Sequence, residues 1–211
     1  MTNKKIIIFL GLSETEEDAK KILDADYRPP VKRGDILKAL NDKPDIIGII
    51  DGVFHQYPAV SHKEIMKAMD MGVTIVGGGS MGALRASELD DLGMKGIGYV
   101  YKNYKNGNIS SDDDVAVSFD KESQTLLSEA LVNIDYKLEK AYQEKIITKK
   151  EKNHILTIAK KTYYPKRTYY KIFKDANLNE ETKTKLSEYI TTITDIKTQD
   201  AIEVLKYIKN R

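Results

Sequence analysis

The chain has 211 residues, 41% of them hydrophobic and 31% charged, with a formal net charge of +2. This composition suits a globular protein with a sizeable core, and no apolar run approaches the ~18 residues of a membrane helix. Cysteine is absent, which excludes disulfides, cysteine-ligated zinc, a catalytic thiol and a covalent persulfide carrier.

Three histidines, His55, His62 and His154, are too few and too scattered to suggest a metal site, and no cofactor motif is evident. The charge is uneven: residues 1–120 carry 19 acidic against 15 basic side chains, residues 121–211 carry 13 against 19. A basic second part suits a well-solvated helical surface or an acidic partner.

The first elements alternate strand and helix patterns. Lys5 to Leu10 is a short apolar run leading into acidic residues, too brief for a signal peptide. It reads as a first strand, and the chain as a cytoplasmic protein. Glu14 to Ala25 is helical in composition. Residues 27–34 contain Pro29-Pro30 and read as loop, because proline fixes φ and removes an amide donor. Asp35 to Leu40 reads as a short helix. Residues 45–51 are apolar on both faces, as in a buried parallel strand. A helix over Ser61 to Met71, a strand over Val73 to Val76 and a helix over Met81 to Leu92 follow, the last stopped by Gly93. Such alternation predicts an α/β fold: a mostly parallel sheet with flanking helices, Rossmann-like or hydrolase-like.

From about Glu122 apolar residues recur at helical spacing, through Leu126, Leu127, Leu131, Ile134 and Leu138. Further helices are predicted over 149–161, 167–175, 180–193 and 197–209, and no glycine follows Gly107. The division expected is therefore 1–120 as an α/β core and 121–211 as an all-helical part packed closely on it. Asp112–Phe119 bridges them as a last strand or a helix start.

The chemistry concentrates at Gly78-Gly79-Ser80-Met81-Gly82. This matches G-x-S-x-G between an apolar strand and a helix, the setting of a nucleophile elbow. Ser80 would be the nucleophile, with the backbone amides of Met81 and Gly79 as oxyanion donors. Two other readings remain. Ser80 caps the helix, or the glycines cradle a phosphate, although the P-loop ending is missing.

A serine needs a base. The ordinary triad order requires a histidine downstream, and only His154 is there, without a suitable setting. Upstream, Ser61-His-Lys-Glu64 forms a capping box, placing His62 at N1 and Lys63 at N2 of the next helix. A lysine at that position faces the positive end of the helix dipole, which favours the neutral amine. Lys63 is then the candidate base in a Ser–Lys pair. Asp51 and His62 are candidate supporting residues. His55 shares their loop. Asp51 would orient the base or only bind loop amides. Arg85 and Glu88 form either an intrahelical pair or, through Arg85, a clamp for a carboxylate or thiocarboxylate. Asp112–Asp114 reads as a solvated acidic loop. Tyr163–Lys171 interleaves aromatic and basic residues, and in a nearly neutral chain it reads as a protein-docking or core-edge segment rather than a nucleic-acid site.

The blocks Pro29-Pro-Val-Lys-Arg-Gly-Asp35, Ile49-Ile-Asp-Gly-Val-Phe54, Ala59-Val-Ser-His-Lys-Glu-Ile65, Gly79-Ser-Met-Gly-Ala-Leu-Arg-Ala-Ser-Glu88, Gly93-Met-Lys-Gly-Ile-Gly98 and Asp112-Asp-Asp-Val-Ala-Val117 together resemble the TfuA family over roughly residues 1–120. The resemblance implies a partner of YcaO, an enzyme that converts a peptide-backbone amide to a thioamide. It implies hydrolysis of the thiocarboxylated C-terminus of a ThiS-like ubiquitin-fold sulfur carrier, releasing sulfide, and help for YcaO in binding its peptide or protein substrate, methyl-coenzyme M reductase being within the family's range. Ser80 and Lys63 fall on the positions of the family's Ser–Lys pair. No nucleic acid, membrane, metal or cofactor is implied. The alternatives are a non-catalytic YcaO adaptor and a nucleotide- or phosphate-binding α/β protein.

Overall fold

The computed structural model describes residues 4–54, 57–120 and 125–211. It contains two compact units: the chain up to Ser110 together with Lys197–Arg211, and Ser111–Ile196.

In the first unit β1 (Ile6–Phe9), α1 (Glu16–Ile22), β2 (Asp26–Arg28), α2 (Asp35–Ala39), β3 (Ile46–Ile49), α3 (His62–Asp70), β4 (Thr74–Gly77), α4 (Met81–Leu89), β5 (Lys95–Gly96) and α5 (Gly98–Lys105) follow in order. The sheet is all parallel in the order β2-β1-β3-β4-β5. Successive strand residues point to opposite faces. Ile7, Phe9, Ile47, Ile49 and Ile75 join Ile36 of α2, Ile65 of α3 and Leu84 of α4 in one core cluster. Ile8, Ile46, Ile50 and Val76 join Ala19 of α1 in another, together with Ala201, Val204, Leu205 and Ile208.

Those last four residues belong to the helix Ile196–Lys209, the terminal helix of the chain. It was expected in the separate helical part, but its stripe at i, i+3, i+4, i+7 covers the sheet. A boundary at 120 therefore assigns it to the wrong unit. The segment read as loop from Tyr27 also begins as strand: Asp26–Arg28 pairs with β1 and stops at Pro29-Pro30, an arrangement an edge strand tolerates. β5 and α5 escaped the sequence reading because two strand residues and an unusual Gly98 start leave no periodic signal.

Asp200, 1% exposed, anchors the terminal helix to the first turn of α5. Its oxygens accept from the amides of Tyr99 and Val100, each at 2.7 Å. Burial pushes its carboxyl up to about 6, against the lowering effect of the two amide bonds. The native state thus holds this proton more tightly than the unfolded chain. The stability it contributes is complete below the ordinary carboxylate range and is lost as pH rises through about 6. The urea midpoint of the wild type, measured against Asp200→Asn, is expected to fall between pH 4 and pH 7, with the variant lacking that slope.

In the second unit α6 (Leu131–Gln143), α7 (Lys149–Lys161), α8 (Tyr169–Asp175) and α9 (Glu180–Thr191) surround Ile134, Leu138, Ile155, Phe173 and Leu186; the helix Ile196–Lys209 is α10. Asp112–Asp114 forms a 3-10 turn, not a strand or a helix start. Arg167, 1% exposed, donates to the Asp113 carboxylate at 2.8 Å and to the carbonyls of Asp113 and Ala159. The helical pattern expected from about Glu122 starts on residues 121–124, which lie outside the described residues; from residue 125 onward the first helix is Leu131–Gln143. Leu126 instead bridges Phe119, and both Leu126 and Leu127 are exposed.

Candidate active site

Ser80 stands at the carboxyl edge of the sheet, where β4 gives way to α4. Parallel strands collect their carboxyl ends on one edge, and ligands bind there in open α/β sheets. The turn is fastened to the end of neighbouring β3: Gly78 N donates to Ile49 O at 3.2 Å and Gly82 N to Ile50 O at 3.2 Å. The left-handed position of the turn is Gly79, φ 74°, where a side chain would be disfavoured.

Ser80 is 7% exposed and makes no side-chain cap on α4, so the capping reading lapses. Among the described residues its hydroxyl has no hydrogen-bond partner, and the amides of Gly79 and Met81 donate to no acceptor. A hydroxyl flanked by two uncommitted amides is suited to bind an oxyanion formed at the serine.

α3 begins as expected. Ser61 Oγ accepts from Glu64 N, and Ser61 N donates to Glu64 Oε1 at 3.3 Å, completing the capping box; Ser61 Oγ also donates to Glu64 Oε1 at 2.9 Å. The other carboxylate oxygen of Glu64 accepts from Gly34 N at 2.7 Å, tying the Val31–Asp35 loop to the start of α3. Lys63 is exposed at N2, and among the described residues its amine has neither ion pair nor hydrogen bond. No hydrogen bond joins it to Ser80 in this arrangement.

Three other candidates do meet, away from Ser80. Glu88 Oε2 pairs with His62 Nε2 at 2.8 Å and with Arg85 Nη1 at 2.6 Å, while Arg85 Nε donates to Val60 O at 3.1 Å. Glu88 lies eight residues beyond Ser80 on α4, ~12 Å along the axis, and among the described residues the His62 ring is hydrogen-bonded to Glu88 and not to Ser80. The guanidinium of Arg85 fastens α4 to the residues before α3. Asp51 is 6% exposed and binds loop amides: it accepts from Gly11 N, Ser13 N and Ser13 Oγ. It thereby closes the gap between the loops after β1 and β3. His154 bonds the carbonyl of Ala176. His55 lies outside the described residues.

Val31–Gly34, a proline-led connector by sequence, belongs to the site edge. Val31 N donates to Asp51 O and Val53 N to Val31 O, both at 3.0 Å. A Cβ on Gly52 would meet the Met81 side chain at 2.6 Å and Val31 at 3.2 Å. Val31, Gly52 and Met81 are therefore contiguous. The parallel pairing of Val31 with Gly52 has no signal in a proline-led loop.

Among the described residues, no helix is long and apolar enough to cross a membrane. A family model described as TfuA-like protein matches residues 51–168. No curated protein matches the chain.

Proposed function

This chain belongs to the TfuA-like protein family, and from that premise we propose that it hydrolyses the thiocarboxylated C-terminus of a ThiS-like sulfur carrier. Membership implies a role in the YcaO-associated thioamidation system. The sulfide released would serve the YcaO enzyme, and the chain would also help that enzyme hold its peptide or protein substrate.

The observation that carries this reading is Ser80 at the head of α4 with the amides of Gly79 and Met81 uncommitted among the described residues. The Ser80 oxygen attacks the thiocarboxylate carbon, and the two amides hold the oxyanion. The carbon–sulfur bond breaks, and sulfur leaves as hydrosulfide carrying the proton removed from the serine. Water then cleaves the acyl-serine. In balance, thiocarboxylate and water give carboxylate and hydrogen sulfide. The 7% exposure of Ser80 favours a slim extended tail over a bulky substrate.

Lys63 is assigned the proton transfer. Its amine is unpaired among the described residues and would close on Ser80 in the carrier complex, since catalytic hydrogen bonds often tighten only when substrate is bound.

The test is sulfide release from a purified thiocarboxylated carrier, without YcaO. The full chain is expected to release one sulfide per carrier, leaving a carboxylate terminus. Lys63→Ala is expected to slow release by about 10²–10⁴-fold, the usual yield of general base catalysis. No release by the wild type would leave the adaptor role as the family function.

A further inference from the structure

We propose that Arg33, assisted by Lys32, forms an anion subsite at the carboxyl edge that neutralises the terminal thiocarboxylate while Ser80 attacks it. This rests on the hydrolase reading. A thiocarboxylate already carries one negative charge, and the attack of a serine oxygen on its carbon adds a second. A cation must offset that charge until sulfur departs. Lys63 cannot serve as well as act as base, because it must be neutral to receive the serine proton.

Arg85, the other clamp candidate, is committed to Glu88 and to the Val60 carbonyl and is 9% exposed. Arg33 and Lys32 differ. Both are exposed, and both sit on the loop whose Val31 packs beside Gly52 and Met81. The loop backbone is fixed at each residue that matters: Val31 N bonds Asp51 O, Arg33 N bonds Pro58 O at 2.9 Å, and Gly34 N bonds Glu64.

The carboxylates closest in this network are occupied. Asp35 accepts from Lys32 N and pairs with Lys38 at 3.6 Å. Glu64 is committed to Ser61 and Gly34. Among the described residues the Arg33 guanidinium has no ion pair or hydrogen bond, and the Lys32 ammonium lies over the Tyr57 ring, 5.7 Å from its centroid. An arginine on an immobilised loop with no internal anion is available for an external one. Its planar fork matches a carboxylate or thiocarboxylate at two points.

Two measurements on the full chain test this. The first is the affinity of a ThiS-like carrier ending in carboxylate against the same carrier ending in carboxamide. The wild type is expected to prefer the carboxylate, and Arg33→Ala to erase that preference while binding the carboxamide form equally well. The second is sulfide release, for which Arg33→Ala is expected to lower kcat/KM by about 10- to 100-fold and Arg33→Lys by less. A carboxylate preference that survives in Arg33→Ala overturns the proposal, as does equal weakening of both carrier forms. A wild type that prefers the carboxylate yet releases no sulfide defeats the hydrolase reading and leaves only the anion subsite standing.

Discussion

Ser80→Ala is expected to reduce sulfide release from the thiocarboxylated carrier by at least about 10³-fold, the scale of losing a nucleophile that acts together with its base. The fold should be almost unaffected. The hydroxyl has no partner among the described residues and does not cap α4, so its removal leaves no donor or acceptor stranded and is expected to cost less than about 1 kcal/mol. The amides of Gly79 and Met81 remain, so carrier affinity should stay within about threefold of the wild type on the same reasoning about uniform and transition-state binding. Normal affinity with lost turnover separates a nucleophile from a docking residue. Turnover that persists in Ser80→Ala would exclude acyl-serine chemistry, and the sulfur would have to leave by direct attack of water.

The core of the first unit was legible because its signals are local. Residues 45–51 are apolar on both faces, and only a strand covered by helices on both sides needs that. The glycines around Ser80 mark the place where α4 touches β3. What was not legible depends on distant pairing. The terminal helix has the same amphipathic pattern whether it covers a sheet or other helices, so its stripe could not reveal that Val204 and Ile208 lie on the sheet. Leu126 and Leu127 continued a helical spacing by chance. The chain there forms a bridge to Phe119 instead.

The candidate site divides along the same line. Ser80, the capping box at Ser61 and the Arg85–Glu88 pair follow from spacing along the chain, and all three are present. Whether a side chain is free or committed depends on partners far away in sequence. Asp51 is taken up by Gly11 and Ser13, about forty residues earlier. Arg85 is taken up in part by Val60, 25 residues earlier. Arg33 stays uncommitted among the described residues because the neighbouring carboxylates, Asp35 and Glu64, are taken up by backbone amides, Lys38 and Ser61. No motif announces that difference.

Gly82→Ala is expected to destabilise the first unit by more than about 3 kcal/mol, through overpacking of backbone against backbone. A Cβ on Gly82 would sit 2.6 Å from the Ile49 carbonyl carbon and closer still to its oxygen. Ile49 is fully buried in β3 and paired on both sides by β1 and β4, so it cannot retreat. Nor can α4 lift away cheaply, because the Gly82 N–H bonds Ile50 O and a Cβ on Gly77 would strike the Gly82 carbonyl. The glycine therefore sets how near α4 approaches β3, and with it the position of Ser80 two residues earlier. Gly72→Ala is the comparison: φ is 85° with nothing within 4 Å of an added Cβ, so it should cost only the ~1 kcal/mol of a left-handed residue. Urea denaturation of the two variants reads the difference. A Gly82→Ala midpoint no lower than that of Gly72→Ala would mean that α4 does not rest on β3, and Ser80 would lose its place at the sheet edge.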